Sequence, residues 1–271
     1  MKNRAKFIKT ILLLDELNNH RTILFLGSSI SNYRKLTTEF LRQLKQNILS
    51  LYLLKGFINE NAHYLKDNNQ FNTFKKSINK ELEFVNHIRN KISGHYDDTL
   101  MLKAAQWEPL IFFSENKSDD FKLLLSYISI FESSINSFVL ENGNHKLYNS
   151  EIDLTIPESR KLFFDTIYKL NDTGIIILTI IKDTLEADNI FYSKENFYEE
   201  STIAGYTNFN LKDKTPFDKD KILNDNKTSL DDEIKDIDFS DIDSIFELRL
   251  KLVKIIGEII LEKIKKKNKS S

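Results

Sequence analysis

The chain has 271 residues, 41% hydrophobic and 29% charged, enough apolar material for one sizeable core or two small ones and outside the range of disordered proteins. Seven glycines and three prolines are too few turn residues for a protein of many tight hairpins, so an all-α fold with long helices is expected. With 39 basic against 40 acidic residues, a net charge of -1 and no cysteine, the composition excludes a basic coat for non-specific duplex binding, a disulfide framework, a thiolate metal site and a cysteine nucleophile.

In the first thirty residues Phe7, Ile8, Ile11, Leu12 and Leu14 suit a helix, whereas Thr22 to Leu26 suits a strand or a buried segment; helix is the reading taken. Lys2, Arg4 and Lys6 precede the apolar residues Ile11 to Leu14, but Asp15 and Glu16 interrupt them and no small-residue cleavage site follows. The longest apolar run, Gly174 to Ile181, falls far short of the roughly 18 residues that span a bilayer. A cytoplasmic protein is expected, with no membrane partner.

From Ser31 to about Lys66, Leu36, Phe40, Leu44, Ile48, Leu51, Leu54 and Ile58 recur at three and four, marking one face of a long helix with Ser31 as its N-cap. Asp67 to Gln70 reads as a turn. Phe71, Phe74, Ile78, Leu82, Val85, Ile88 and Ile92 then repeat the spacing until Gly94, so a second helix ends near Ser93. A shorter helix over Thr99 to Gln106 stops before Pro109, and another runs from Asp119 with Phe121, Leu124, Ile128, Phe131, Ile135 and Phe138 on one stripe. Four helices with short polar connections predict an up-and-down bundle.

Pro157 suits the first turn of a further helix, in which Phe163, Ile167, Leu170, Gly174, Ile177, Ile181 and Leu185 keep helical spacing to about Ala187. Ile175 to Ile181 alone also fits a buried strand. Residues 188–240 lose the periodicity and carry Asp231, Asp232, Glu233, Asp236, Asp238, Asp241 and Asp243 at and beyond their end, a solvated loop or an interaction segment. Over residues 241–271 a last helix is expected, its Ile245, Leu248, Leu252, Ile255 and Ile259 forming a seam for the bundle or another chain, with Lys263, Lys265, Lys266 and Lys267 at its end. The resulting organisation is an N-terminal segment (1–30), a helical bundle (31–187), an acidic loop region (188–240) and a C-terminal helix (241–271).

The sequence holds no phosphate-binding glycine loop, no HExxH, no GxSxG and no His/Asp/Glu cluster with convincing metal spacing. Of the histidines His20, His63, His87, His95 and His145, only His87 and His95 lie close together around an arginine, in Asn86 to Asp98 (NHIRNKISGHYDD). Arg89 stands near the end of the second helix, Asn90 follows it, and His95 comes just past Gly94, which releases the chain from helical geometry. On a continuous helix residues six apart diverge by roughly 120°; the break lets His95 turn back toward Arg89. Imidazole exchanges protons near neutral pH, and a guanidinium fork binds a phosphate and the charge that develops on it, which are the needs of RNA cleavage without a metal. The alternative is structural: Arg89 caps the carbonyl end of its helix and His95 bonds a loop. His87, on a different face, is read as a surface or partner-facing residue. Tyr96 and Asp97 form a turn with one buried ring or orient His95, and Trp107, Pro109 and Phe112 are read as core.

RNKISGH at a helix end, within an expected helical bundle, resembles the R-x4-6-H signature of HEPN superfamily ribonucleases, in which a polar residue commonly follows the arginine, as Asn90 does here. The resemblance covers about residues 31–140. It implies a HEPN-like bundle, a homodimer whose two motifs face each other in one composite site, and a metal-independent endoribonuclease that cuts RNA through the 2'-hydroxyl. Arg89 and His95 are then the catalytic pair, with Asn90 in support, and no metal or cofactor is implied. Many members act as toxins in toxin-antitoxin or phage-defence systems, so RNA and an antitoxin or regulatory protein are the implied partners. The contrasting expectation is a non-catalytic HEPN-like binding or scaffold protein.

Overall fold

The computed structural model describes residues 2–25, 36–92, 97–115 and 118–193. Among these residues the protein is helical: α1 (Lys2–Phe25), α2 (Thr38–Asn61), α3 (Asn69–Ile92), α4 (Asp98–Trp107), a 3-10 turn over Pro109–Phe112, α5 (Asp119–Asn136) and α6 (Pro157–Ala187). The only β pairing among them is an isolated bridge between Val139 and His145. No helix is long and apolar enough to cross a membrane among the described residues. The acidic loop and the C-terminal helix expected beyond residue 193, together with Ser31, Gly94 and His95, lie outside the described residues.

Side chains at the helix ends account for most of the boundaries. Thr37 sits in extended backbone and accepts the Phe40 N–H at 3.1 Å, so α2 starts at Thr38 rather than at Ser31. It ends at Asn61, not Lys66, because residues 62–67 turn so that Asn68 can accept the Phe71 N–H at 2.9 Å and open α3. Asp97 and Ser118 cap α4 and α5 in the same way, and Pro157 opens α6 where its missing N–H is not needed.

The periodic stripes are the buried faces. Leu36, Phe40, Leu44, Ile48, Leu51, Leu54 and Ile58 of the α2 stripe are all buried, as is the α6 stripe from Phe163 to Leu185, which stays helical through Ile175 to Ile181. On α3 Phe74 alone of the predicted stripe is half-buried. On α5 Phe121 is exposed, because the first turn of that helix runs past the edge of the core.

Contacts between helices give their directions. Lys9 pairs with Glu60 and Glu16 with Ser50, so α1 and α2 run antiparallel; Lys55 with Glu83 and Tyr52 with Arg89 make α2 and α3 antiparallel. Lys169 reaches Glu81 and Phe163 reaches Phe84, which sets α6 antiparallel to α3, and the pairs Arg21–Asp172 and Asn3–Asp188 set it antiparallel to α1. The central up-and-down bundle is therefore α1, α2, α3 and α6, with α2 and α6 parallel across the diagonal (Phe40 to Phe164, Asn47 to Asn171). This corrects the expectation that the four consecutive helices beginning at residue 31 build it. The fourth member is α6, while α4, about 15 Å long with only Leu100 and Ala104 buried, packs on α5 at the side. The N-terminal segment is a full member of the core, through Leu13, Leu17 and Leu24. Where α1, α2 and α6 cross, Gly174 lets the helices close: a Cβ there would stand 2.6 Å from Leu54 Cδ2 and 3.1 Å from Leu17 Cδ1.

A buried amide pair sets the register across the diagonal. Asn47 Nδ2 donates to Asn171 Oδ1 at 2.8 Å and Asn171 Nδ2 returns a bond to Asn47 Oδ1 at 2.9 Å, with both residues fully buried. Replacing one partner strands the other without solvent, at a cost of about 1–3 kcal/mol, whereas replacing both removes the stranded group. Asn47→Leu alone is expected to lower the urea midpoint, and Asn47→Leu with Asn171→Leu to recover part of the loss; a double variant as unstable as the sum of the singles would refute this.

Candidate functional site

The last turn of α3 carries Arg89 one position beyond buried Ile88, so its side chain leaves the core edge half-buried. Its guanidinium carbon lies 4.4 Å from the centre of the Tyr52 ring on α2, a cation–π contact that holds the planar group at the end of the helix. Nη1 donates to Asn90 Oδ1 at 3.2 Å, and Nε is buried without a hydrogen-bond partner among the described residues. Asn90 is exposed. Arg89 and Lys91 both stand in the last turn, where the carbonyl end of the helix favours positive charge.

Residues 93–96 lie outside the described residues, but those on either side are joined. Lys91 Nζ bonds Asp97 Oδ2 at 2.6 Å, and Asp97 Oδ1 accepts the Leu100 N–H at 2.9 Å. The Lys91 ammonium, then the Leu100 amide, hold the Asp97 carboxyl below its usual range. Asp97 is thus the N-cap of α4. The structure brings Arg89 and Asn90 together, while the third predicted site residue, His95, lies outside the described residues.

His87 is half-buried at the edge of the bundle. Its Nε2 lies 2.9 Å from Ser137 Oγ, a hydroxyl that also lies 2.9 Å from the Ser134 carbonyl. The ring packs on Phe138 with centroids 5.2 Å apart, and burial, then Lys91, push its pKa down. It joins α3 to the end of α5. Trp107, Pro109 and Phe112 are not core: Trp107 is 42% and Phe112 67% exposed, and Leu110 and Phe113 lie open beside them. The reason is Glu132, which draws the indole N–H toward α5 and leaves the rest of the ring at the surface.

Two buried groups escaped the search for chemical motifs. Glu132 of α5 is 2% exposed; its Oε1 accepts the Leu154 N–H and its Oε2 the Trp107 indole N–H, both at 2.6 Å. Burial pushes its pKa up to about 7 against those two bonds. The signal in the sequence is a carboxylate on an apolar stripe, four residues after Ile128 and three before Ile135. His20 on α1 is the second, in step with Leu17 and Leu24. Burial lowers its pKa, and its Nε2 lies 3.4 Å from Ser50 Oγ. Ser50 gives its proton to Glu16 Oε2 at 2.7 Å and is itself buried, which leaves no nucleophile there.

His145 is structural. Its Nε2–H donates to the Ile135 carbonyl at 2.9 Å, and Nδ1 accepts the Leu147 and Tyr148 N–H groups, each at 3.0 Å. Protonation of Nδ1 would cancel both acceptances, and burial holds the pKa below the usual 6.5. The unfolded chain therefore binds the proton more readily. His145 contributes its full stability above about pH 6.5 and loses it as pH falls toward the lowered folded value. The urea midpoint of the wild type should drop more between pH 7.5 and 5 than that of His145→Gln; parallel drops would count against this.

Among the described residues no group of three or more His, Asp or Glu is placed to hold a metal ion. No protein-family model, curated protein or solved structure matches this chain. The functional reading therefore rests on the last turn of α3 and on the motif that it opens.

Proposed function

We propose that the protein is a HEPN-like, metal-independent endoribonuclease that cuts RNA through its 2'-hydroxyl. The observation that carries the reading is the placing of Arg89: its guanidinium stands over the Tyr52 ring at a helix end, 4.4 Å from the ring centre, with Asn90 beside it. A planar fork so placed suits a phosphate oxygen and the negative charge that grows on it during cleavage. His95, six positions on, supplies the proton transfer. It takes a proton from the 2'-hydroxyl or gives one to the leaving 5'-oxygen, and a second copy of the chain, as a homodimer, brings the matching motif. A toxin or phage-defence effector held by an antitoxin is the biological form of this activity that the motif suggests.

The test is incubation of the purified chain with labelled RNA in excess EDTA. Fragments ending in a 2',3'-cyclic phosphate are expected, and DNA of the same sequence should stay intact because it lacks the attacking hydroxyl. Equal cleavage of DNA, or cleavage only on addition of a divalent metal, would overturn the reading.

One observation favours a second reading, a non-catalytic helical binding module. Leu102, Leu110, Phe112 and Phe113 expose apolar side chains on α4 and the segment just after it, and neighbouring exposed apolar residues suit a protein-binding face. Under that reading RNA stays uncut and the chain is retained by a protein partner.

A further inference from the structure

Glu132 sits where three parts of the fold meet: α5, the end of α4, and the loop that leads into α6. A carboxylate has two acceptor oxygens, and here each takes one N–H, from Leu154 and from Trp107. A carboxylic acid cannot serve both in the same way, because one of its oxygens becomes a hydroxyl. Which bond is given up follows from exposure. Leu154 is fully buried and its amide has no water to turn to; Trp107 is 42% exposed, and its indole N–H can take a water instead.

We propose that Glu132 is a proton-operated latch: ionised, it ties Trp107 and the end of α4 to the bundle, and protonated at Oε2 it releases them while keeping Leu154. The proton comes from solvent and the released N–H goes to water, so no other reactant is needed. The charged surroundings set the working range. Glu108 at the end of α4 and Asp153 in the loop before α6 both favour the protonated form, as burial does. From α2, Arg42 faces α5 at Tyr127, and from α3, His87 faces it at Ser137. Each of these contacts lies about 7.5 Å along the helix from Glu132. Release would free the segment that presents Leu110, Phe112 and Phe113, so the latch governs an apolar surface. It is independent of the ribonuclease reading.

Trp107 is the only tryptophan in the chain, which makes it a clean reporter. Its fluorescence in the full-length protein, followed from pH 5 to 9, should change in one sigmoid step with a midpoint near 7, the low-pH form being more readily quenched by acrylamide. Glu132→Gln, which has one acceptor oxygen, should be quenched at every pH as the low-pH wild type is. Glu108→Gln should move the midpoint down. A wild-type signal that is flat across the range, or a step that persists in Glu132→Gln, would overturn the proposal. If Glu132→Gln does not fold, the single indole N–H resonance of 15N-labelled wild type decides. It must shift near pH 7 and exchange faster with water below it, and a resonance that stays fixed overturns the proposal.

Discussion

Under the proposed ribonuclease activity, replacing His95 with alanine is expected to lower RNA cleavage by about two to four orders of magnitude, the usual worth of a positioned general acid or base. Arg89→Ala should cost a similar factor, since under the same proposal it removes the donors for the developing charge. Arg89→Lys tests the role more sharply, because an ammonium keeps the charge but loses the planar fork and its fit on Tyr52. If phosphate is gripped by two parallel N–H groups, lysine should recover only a small part of the loss. Rates are to be read by gel from labelled RNA in EDTA, alongside a folding check by circular dichroism. Arg89 is half-buried at the end of α3, so its two variants should keep the helical spectrum. Cleavage by His95→Ala at the wild-type rate would sink the assignment of the site.

Phe84→Ala is expected to have the largest effect on stability, a loss of about 3–5 kcal/mol. Phe84 is fully buried on α3, and its ring meets those of Phe138 at 5.3 Å, His145 and Tyr148 at 5.8 Å, and Phe163 at 6.2 Å between centroids. It therefore ties α3 to α6 and holds the loop of residues 137–148 on the bundle. Its removal opens a cavity that stiff neighbours cannot collapse into, and loses edge-to-face contacts with several rings at once. A typical domain is stable by only about 5–15 kcal/mol, so the urea midpoint should fall steeply. A midpoint within error of the wild type would mean that the loop repacks, contrary to the four ring contacts around Phe84.

The elements legible from spacing were those with unbroken apolar stripes. On α2 the predicted positions Leu36 to Ile58 are the buried ones, and on α6 so are Phe163 to Leu185. The first helix was harder for a physical reason. Its buried stripe is Thr10, Leu13, Leu17, His20 and Leu24, at spacings of three and four, but two of its members are polar. Meanwhile Ile8, Ile11 and Leu12 are 60%, 44% and 59% exposed. A search for apolar periodicity follows the wrong face of such a helix. Trp107 misled in the same direction, since a large ring counts as core until a buried carboxylate such as Glu132 is found to hold its N–H. The contacts of His87 with Ser137 and Phe138 leave no local trace, because those residues lie about fifty positions away along the chain.

What depends on neighbours within a turn or two could be read from residue order: the helical class, the apolar stripes of α2, α3 and α6, the start of α6 at Pro157, and the arginine at the end of α3. Those features come from short-range sterics, capping and periodic burial, all written in local residue order. Packing in three dimensions settled that α1 and α6, not α4 and α5, complete the central bundle, that Asn47 meets Asn171, and that Arg89 lies over Tyr52. It also decided that Glu132 is sealed between Trp107 and Leu154. Each of these joins residues far apart in the chain, and which stripes pair is settled by shape, by a close approach such as that at Gly174, and by where a buried polar group finds its partner.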